Sequence, residues 1–206
     1  MQIRLSRRVL VHLCVLVCGF LMLACEAPAG GSASAAPSNA SATWQDKTVY
    51  TRVGMKVEAA KKGGGWHMYS TNHVGLPKHI PAGSKFTARE QGRSQIELVG
   101  EDGSVIHVEF VARHHPDMNF ASWLERQLST TPVELPASLD EKERAAIQAG
   151  RWEVGMSRAA LFLAIGYPPT ALTPSPNDAL LKYEVKKFDN IVFDIDAQDH
   201  VASIRD

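Results

Sequence analysis

One stretch, Val154 to Pro169 (VGMSRAALFLAIGYPP), constrains the fold of this chain more than any other. Ser157 stands where an N-cap belongs, its hydroxyl placed to accept from the free amides of a first helical turn. Leu161, Phe162 and Ile165 follow at i, i+1 and i+4, which is one apolar face of a helix. Gly166 supplies a left-handed C′ position, and Pro168-Pro169 forbid continuation. A helix of roughly three turns is not stable in isolation, so its apolar face has to dock on the elements around it.

Those elements are legible on both sides. Upstream, SLDEKERAAIQAG predicts a second helix, with Ser138 and Glu141 as an S-x-x-E capping box and Gly150 as its stop. Downstream of a proline-rich loop, LLKYEVK, NIVFDID and HVASI read as three strands. Phe188-Asp189-Asn190 and Ala197-Gln198-Asp199 make the turns. Leu181, Tyr183 and Val185, then Ile191, Phe193 and Ile195, then Val201 and Ile204 would cover the helices. The second half is therefore expected to be helix, helix, strand, strand, strand.

The run GRWEVGMSRAAL, then IGYPP, KYEV and IVFDIDAQDHVASI, resembles the SmpA/OmlA family of outer-membrane lipoproteins. Gly155, Met156, Gly166, Pro168, Tyr183, Phe193 and Val201 stand at that family's pattern positions; Leu161 replaces its usual valine, and Asp199 or His200 stands where its last turn has glycine. Over residues 138–205 the resemblance implies a BamE-like ααβββ module and a non-enzymatic role in envelope assembly.

From Thr48 to Val111 the pattern is strands and turns: TVYTRVGMKVEA, WHMYSTN, KFTARE, SQIELVGE and SVIHVEFVA, several alternating at period two. Asp102-Gly103 is the strongest hairpin signal. IPAGSKFTA resembles the entry to bacterial Src-homology-3-like domains, and a small antiparallel β-barrel is expected. NFASWLERQL, with Phe120, Trp123, Leu124 and Leu128 on one face, then makes a connecting helix ended by Pro132 and Pro136. The fold class is thus α+β: a small N-terminal barrel over 44–115, a connecting helix and Pro-rich linker over 116–137, and the ααβββ module over 138–206.

Residues 1–24 read as an address. Arg4, Arg7 and Arg8 precede an apolar run, Val9 to Leu23. LMLAC resembles the lipobox of bacterial lipoproteins, in which the cysteine, here Cys25, is acylated and becomes the N-terminus. Glu26 rather than aspartate follows it, and the resemblance then implies the periplasmic face of the outer membrane, with a membrane anchor on Cys25. All three cysteines, Cys14, Cys18 and Cys25, lie in this segment, so the rest of the chain holds together without disulfides. Residues 27–43, APAGGSASAAPSNASAT, cannot bury enough to order themselves and read as a leash of about 20–25 Å. The leader holds three of the 22 Lys and Arg and none of the 22 Asp and Glu, which leaves the remainder at −3 and gives no basis for binding nucleic acid.

Catalytic constellations are not legible: no mature cysteine, no G-x-S-x-G, and a glycine-rich KKGGGW that lacks the strand, helix and K-[ST] ending of a phosphate loop. No enzyme and no cofactor are expected. The leading expectation is a protein–protein interaction or scaffold module with an envelope protein as partner. The alternative is a histidine-dependent metal-binding or sensing protein, whose candidate ligands are His67, His73, His79, His114 and His115. Trp66 and Tyr69 are candidate residues of a peptide groove. Tyr167, between Gly166 and Pro168, either contacts a partner or staples the helix end.

Overall fold

The alternation in the first half builds strands in the computed structural model, which describes residues 43–206. The leader, Cys25 and the leash up to residue 42 lie outside the described residues. Eight strands, β1 (Thr48–Thr51), β2 (Met55–Ala59), β3 (Trp66–Tyr69), β4 (Lys78–Ile80), β5 (Lys85–Glu90), β6 (Gln95–Val99), β7 (Val105–Glu109) and β8 (Leu128–Ser129), form one curled sheet in the order β4-β2-β3-β7-β6-β5-β1-β8. Its concave face buries Val49, Val57, Met68, Ile96, Leu98 and Val108. Helix α1 (Phe120–Gln127) adds Trp123 and Leu124 to that core. The fold class is α+β, with three α-helices among the described residues.

The Asp102-Gly103 hairpin forms as expected: Val99 pairs with Val105, Gly103 takes φ 78°, and the Asp102 carboxylate accepts from the Ser104 amide at 2.9 Å. Other expectations need correcting. TVYTRVGMKVEA is broken at Arg52–Gly54, because the Arg52 amide bonds the Gln127 carbonyl and the Gly54 amide bonds Leu163. The sheet is not wholly antiparallel, since β3 and β7 run parallel with His67 opposite His107. Leu128 leaves the helix for β8, where it pairs with Thr51.

The second half places helices α2 (Glu141–Ala149) and α3 (Arg158–Ile165) before a three-stranded antiparallel sheet, β9 (Leu180–Lys186), β10 (Asp189–Ile195) and β11 (Val201–Arg205), in the order β11-β10-β9. Leu181, Tyr183, Ile191, Phe193 and Val201 bury against Ile147, Leu161 and Ile165. The capping box of α2 is made by Asp140 and Glu143, two residues on from the predicted Ser138 and Glu141. The Asp140 carboxylate accepts from the Glu143 amide at 2.7 Å, a charge-assisted cap at the positive helix end. Gly150 closes α2 in the left-handed conformation at φ 60°, as expected. Ser157 caps α3, accepting from the Ala160 amide at 3.2 Å. Gly166 does end α3 but with φ 78° and ψ −174°, a conformation outside the left-handed helical region and natural only to glycine.

Helix α3 is buried on more than one face, Ala160, Leu161, Phe162, Ala164 and Ile165 all being inside. The reason is a seam at which the first half of the chain closes over it. The Gly54 amide donates to the Leu163 carbonyl at 2.9 Å, and Asn72 Nδ2 donates to the carbonyls of Ile165 at 2.7 Å and Tyr167 at 3.0 Å. The Val74 and Gly75 amides pair with the Glu184 and Val185 carbonyls, covering the outer edge of β9. Val53 and Val74 bury in the core of the second half. The described residues accordingly fall within one compact unit, Ala40–Asp206.

Candidate functional site

Strands β2, β3, β7 and β6 lie side by side, and their alternation sends Met68, Ile106, Val108, Ile96 and Leu98 inward. His67, Tyr69, His107, Glu109 and Glu97 therefore face out. Register then puts Glu58 opposite His67, His67 opposite His107 and His107 opposite Glu97, a row of four titratable side chains across four strands. Tyr69 and Glu109 align in the next row. His67 Nε2 lies 3.7 Å from Glu109 Oε2, and His107 Nδ1 lies 3.3 Å from Glu97 Oε1. The Tyr69 ring packs edge-on to His67 with centroids 4.2 Å apart.

Burial pushes the His67 imidazole below its usual range, and the Glu109 and Glu58 carboxylates only partly oppose it, so the ring is neutral at neutral pH. The loop that joins β2 to β3 turns through Gly63, Gly64 and Gly65, all at positive φ. It overhangs a cleft of 370 Å³ lined by Glu58, Lys61, Lys62, His67, Tyr69 and His107. Two lysines, one carboxylate and two imidazoles in its lining suit this shelf to polar recognition of another molecule, with Tyr69 as the exposed aromatic contact.

The other predicted residues go elsewhere. Trp66 is on the opposite face of β3 from Tyr69, where it lines a separate groove of 430 Å³ with Ile80, Pro81 and Phe86, under Lys78 Nζ at 4.0 Å. The two aromatics therefore cannot line one groove. His73 Nε2 bonds Glu184 Oε2 at 2.7 Å, and His114 Nδ1 lies 4.0 Å from the other oxygen of that carboxylate. His114 and His115 belong to a 3₁₀ turn (Ala112–His114) and its cap, not to a strand.

His79 is a seam residue, and His115 is buried in the first half, stacked on Phe110. His79 Nε2 donates to the Ile147 carbonyl at 3.0 Å and His115 Nε2 to the Ser70 carbonyl at 2.8 Å. A carbonyl only accepts, so in both rings Nε2 carries the proton and Nδ1 is the bare, buried nitrogen. The five predicted histidines thus part into the shelf, the Glu184 pair, the seam at His79 and the first-half core at His115. Among the described residues no group of three or more His, Cys, Asp or Glu is arranged to hold a metal ion. The Ser70 hydroxyl accepts from the Val111 amide at 2.8 Å, and the nearby imidazole of His115 bonds its backbone, leaving the hydroxyl without a base.

Tyr167 is a staple. Its ring lies 4.6 Å from Phe162 and has the Arg126 guanidinium 3.8 Å above it, which ties the end of α3 to α1. Sequence reasoning missed Glu97, and it counts His107 and Glu109 among the polar residues of the first half without setting them beside His67. The outward phase of SVIHVE was available as a signal, but the parallel pairing that sets His107 beside His67 has no local one. Among the described residues no helix is long and apolar enough to cross a membrane. Compared with protein-family models, with curated proteins and with solved structures, the chain matches none.

Proposed function

We propose that the chain is a lipid-anchored protein of the outer membrane's periplasmic face, whose folded part is a non-enzymatic interaction platform in envelope assembly or maintenance. In this reading Cys25 bears the acyl anchor, residues 27–43 are the leash, and a small-barrel module is followed by an ααβββ module of the BamE-like kind. The observation that carries it is the leader ending in Leu23-Ala24-Cys25, followed by a stretch with no large apolar residue. The shelf around Tyr69 supplies the contact surface, since an amphipathic ring among paired polar groups binds by complementarity without needing a reactive centre. The metal-binding alternative draws no support from the placement of the histidines predicted for it, because His67, the His73 and His114 pair on Glu184, His79 and His115 stand at separate places, and among the described residues no three His, Cys, Asp or Glu are arranged to hold a metal ion.

A photo-crosslinking amino acid at Tyr69 in the full chain, irradiated in intact envelopes, tests this. The expected result is discrete adducts with outer-membrane assembly or cell-wall components, lost when Cys25→Ala removes the anchor. A chain held at the membrane that yields no adduct from the shelf would overturn the platform reading.

A further inference from the structure

The turn between β9 and β10 carries an anomalous side chain. Phe188 is 89% exposed and sits at φ 67°, the left-handed region that a bulky side chain enters only under strain. Lys186 and Lys187 flank it, both exposed. Lys187 Nζ lies 5.0 Å from the ring centroid, and Lys186 pairs with Asp189 at 3.6 Å. The tip is an aromatic knob with a net positive charge. Glycine or asparagine would make the same turn without strain, so folding does not ask for this ring.

A hollow of matching character lies at the far end of the same sheet. Ala146 of α2, Val154, Gly155 and Met156 floor it, and Asp140, Glu143 and Glu153 rim it. Its one cation, Lys142, is paired with Glu153 at 2.9 Å. Val154 in its floor is 56% exposed. Asp140 and Glu143 are held in place, the first capping α2 and the second accepting from the Ser157 amide at 2.8 Å. The hollow measures 190 Å³; a phenyl ring fits such a space, since an apolar cavity of about 150 Å³ takes up benzene.

Val201 pairs with Ile195 at the end of β10 and exchanges backbone hydrogen bonds with Gly155 and Met156. The hollow therefore abuts one end of β10 and Phe188 precedes the other. A strand of seven residues keeps them on the order of 20 Å apart, so the ring cannot fill the hollow of its own chain.

We propose that the Phe188 knob of one copy seats in the hollow of a second copy, with Lys186 and Lys187 meeting Asp140 and Glu153. Because knob and hollow sit at opposite ends of β10, the contact is head-to-tail, and each copy uses both surfaces as the assembly grows. A single knob buries far less than a standard interface. The contact is thus weak between dilute copies and forms where copies are crowded on a surface. Knob and hollow are present whether or not Cys25 is acylated, and the crowding that favours their contact is what the anchor proposed above would supply.

The test uses the full chain in two tagged forms, one carrying Lys187→Cys beside the knob and the other Lys142→Cys on the rim of the hollow. All three native cysteines lie at positions 14, 18 and 25, and the chain without an introduced cysteine is the control. Under mild oxidation of co-expressed copies, the mixed disulfide pair is expected to form several-fold more than pairs of like copies. Phe188→Gly in the knob copy lowers the mixed pair about tenfold or more, as loss of a seated aromatic anchor does, and its melting temperature stays or rises because glycine relaxes the turn. Glu153→Lys in the hollow copy lowers it as well, and Lys186→Glu in the knob copy restores part of the yield. Mixed pairs no commoner than like pairs, or a yield indifferent to Phe188→Gly, would overturn the proposal. So would Phe188-dependent disulfide adducts of the Lys187→Cys copy with another protein in place of the mixed pair.

Discussion

Gly54→Ala is expected to destabilise the folded unit by about 3 kcal/mol or more, at the upper end of overpacking costs. A methyl at this position would lie 2.2 Å from the Ala164 carbonyl oxygen, 2.7 Å from its carbon and 2.8 Å from His79 Cε1. Two of those three atoms are backbone of α3, so a rotamer change gives no relief. Moving α3 away would break the Gly54 amide bond to Leu163 and lift Leu161 and Ile165, both fully buried, off their sheet. The crowding recurs at Gly150, where an added methyl would stand 2.4 Å from His79 Cγ with φ at 60°. Denaturant unfolding of the full chain measures the loss. A cost below about 1 kcal/mol, an ordinary surface value, would show that the seam yields and that the two cores are less tightly joined than the geometry requires.

Acid is expected to weaken the same folded unit, at His79 in the seam and at His115 in the core of the first half. Burial holds the His79 and His115 imidazoles below the ordinary value of 6.5, and the nearest cations, Lys56 and Arg126, push the same way. Around His79 the groups that face it are Lys56 of β2 and the backbone of Met55 and Ile147; around His115 they are His114, Arg126 of α1 and the Ser70 carbonyl. The His115 Nδ1 is buried without an acceptor, so an added proton would find no partner there, while at His79 the backbone of Met55 offsets only part of the burial penalty. The unfolded chain takes up those protons more readily than the native one. Stability is therefore complete above about pH 6.5 and falls as the pH drops below it toward the folded values. The slope is at most about 1.4 kcal/mol per pH unit for His115, and less for His79, whose half-buried ring is partly screened by water. Melting temperatures between pH 7.5 and 5 measure it, and His115→Gln with His79→Gln should flatten the dependence. A flat profile in the unsubstituted chain would contradict the buried neutral rings.

The sequence made some elements legible and hid others for identifiable reasons. Helix α3, its Ser157 cap, the strands β9 to β11 and the Asp102-Gly103 hairpin all announce themselves within a few residues, because caps, alternation and turn chemistry are local. The shift of the α2 capping box to Asp140 and Glu143 is also local: two overlapping boxes compete, and the one that places a carboxylate at the helix start wins. The seam is different. Gly54, Asn72 and His79 look like ordinary loop and strand residues, and their meaning depends on helices about 70 to 110 positions later in the chain, α3 for the first two and α2 for His79. The shelf is intermediate, since the outward phase of His67 and His107 is readable but their adjacency follows from a parallel pairing that no short-range pattern encodes. Trp66 and Tyr69 read alike as aromatics for a peptide groove, but a separation of three positions on a strand puts them on opposite faces.

The most direct test of the account's central claim, a folded platform delivered to the membrane surface by an acylated Cys25, is the intact mass of the chain isolated from the envelope. The account predicts a polypeptide that begins at Cys25, with residues 1–24 removed and the added mass of a thioether-linked diacylglyceryl group and an amide-linked acyl chain on that residue. A chain that begins elsewhere, or begins at Cys25 without added lipid, would contradict it.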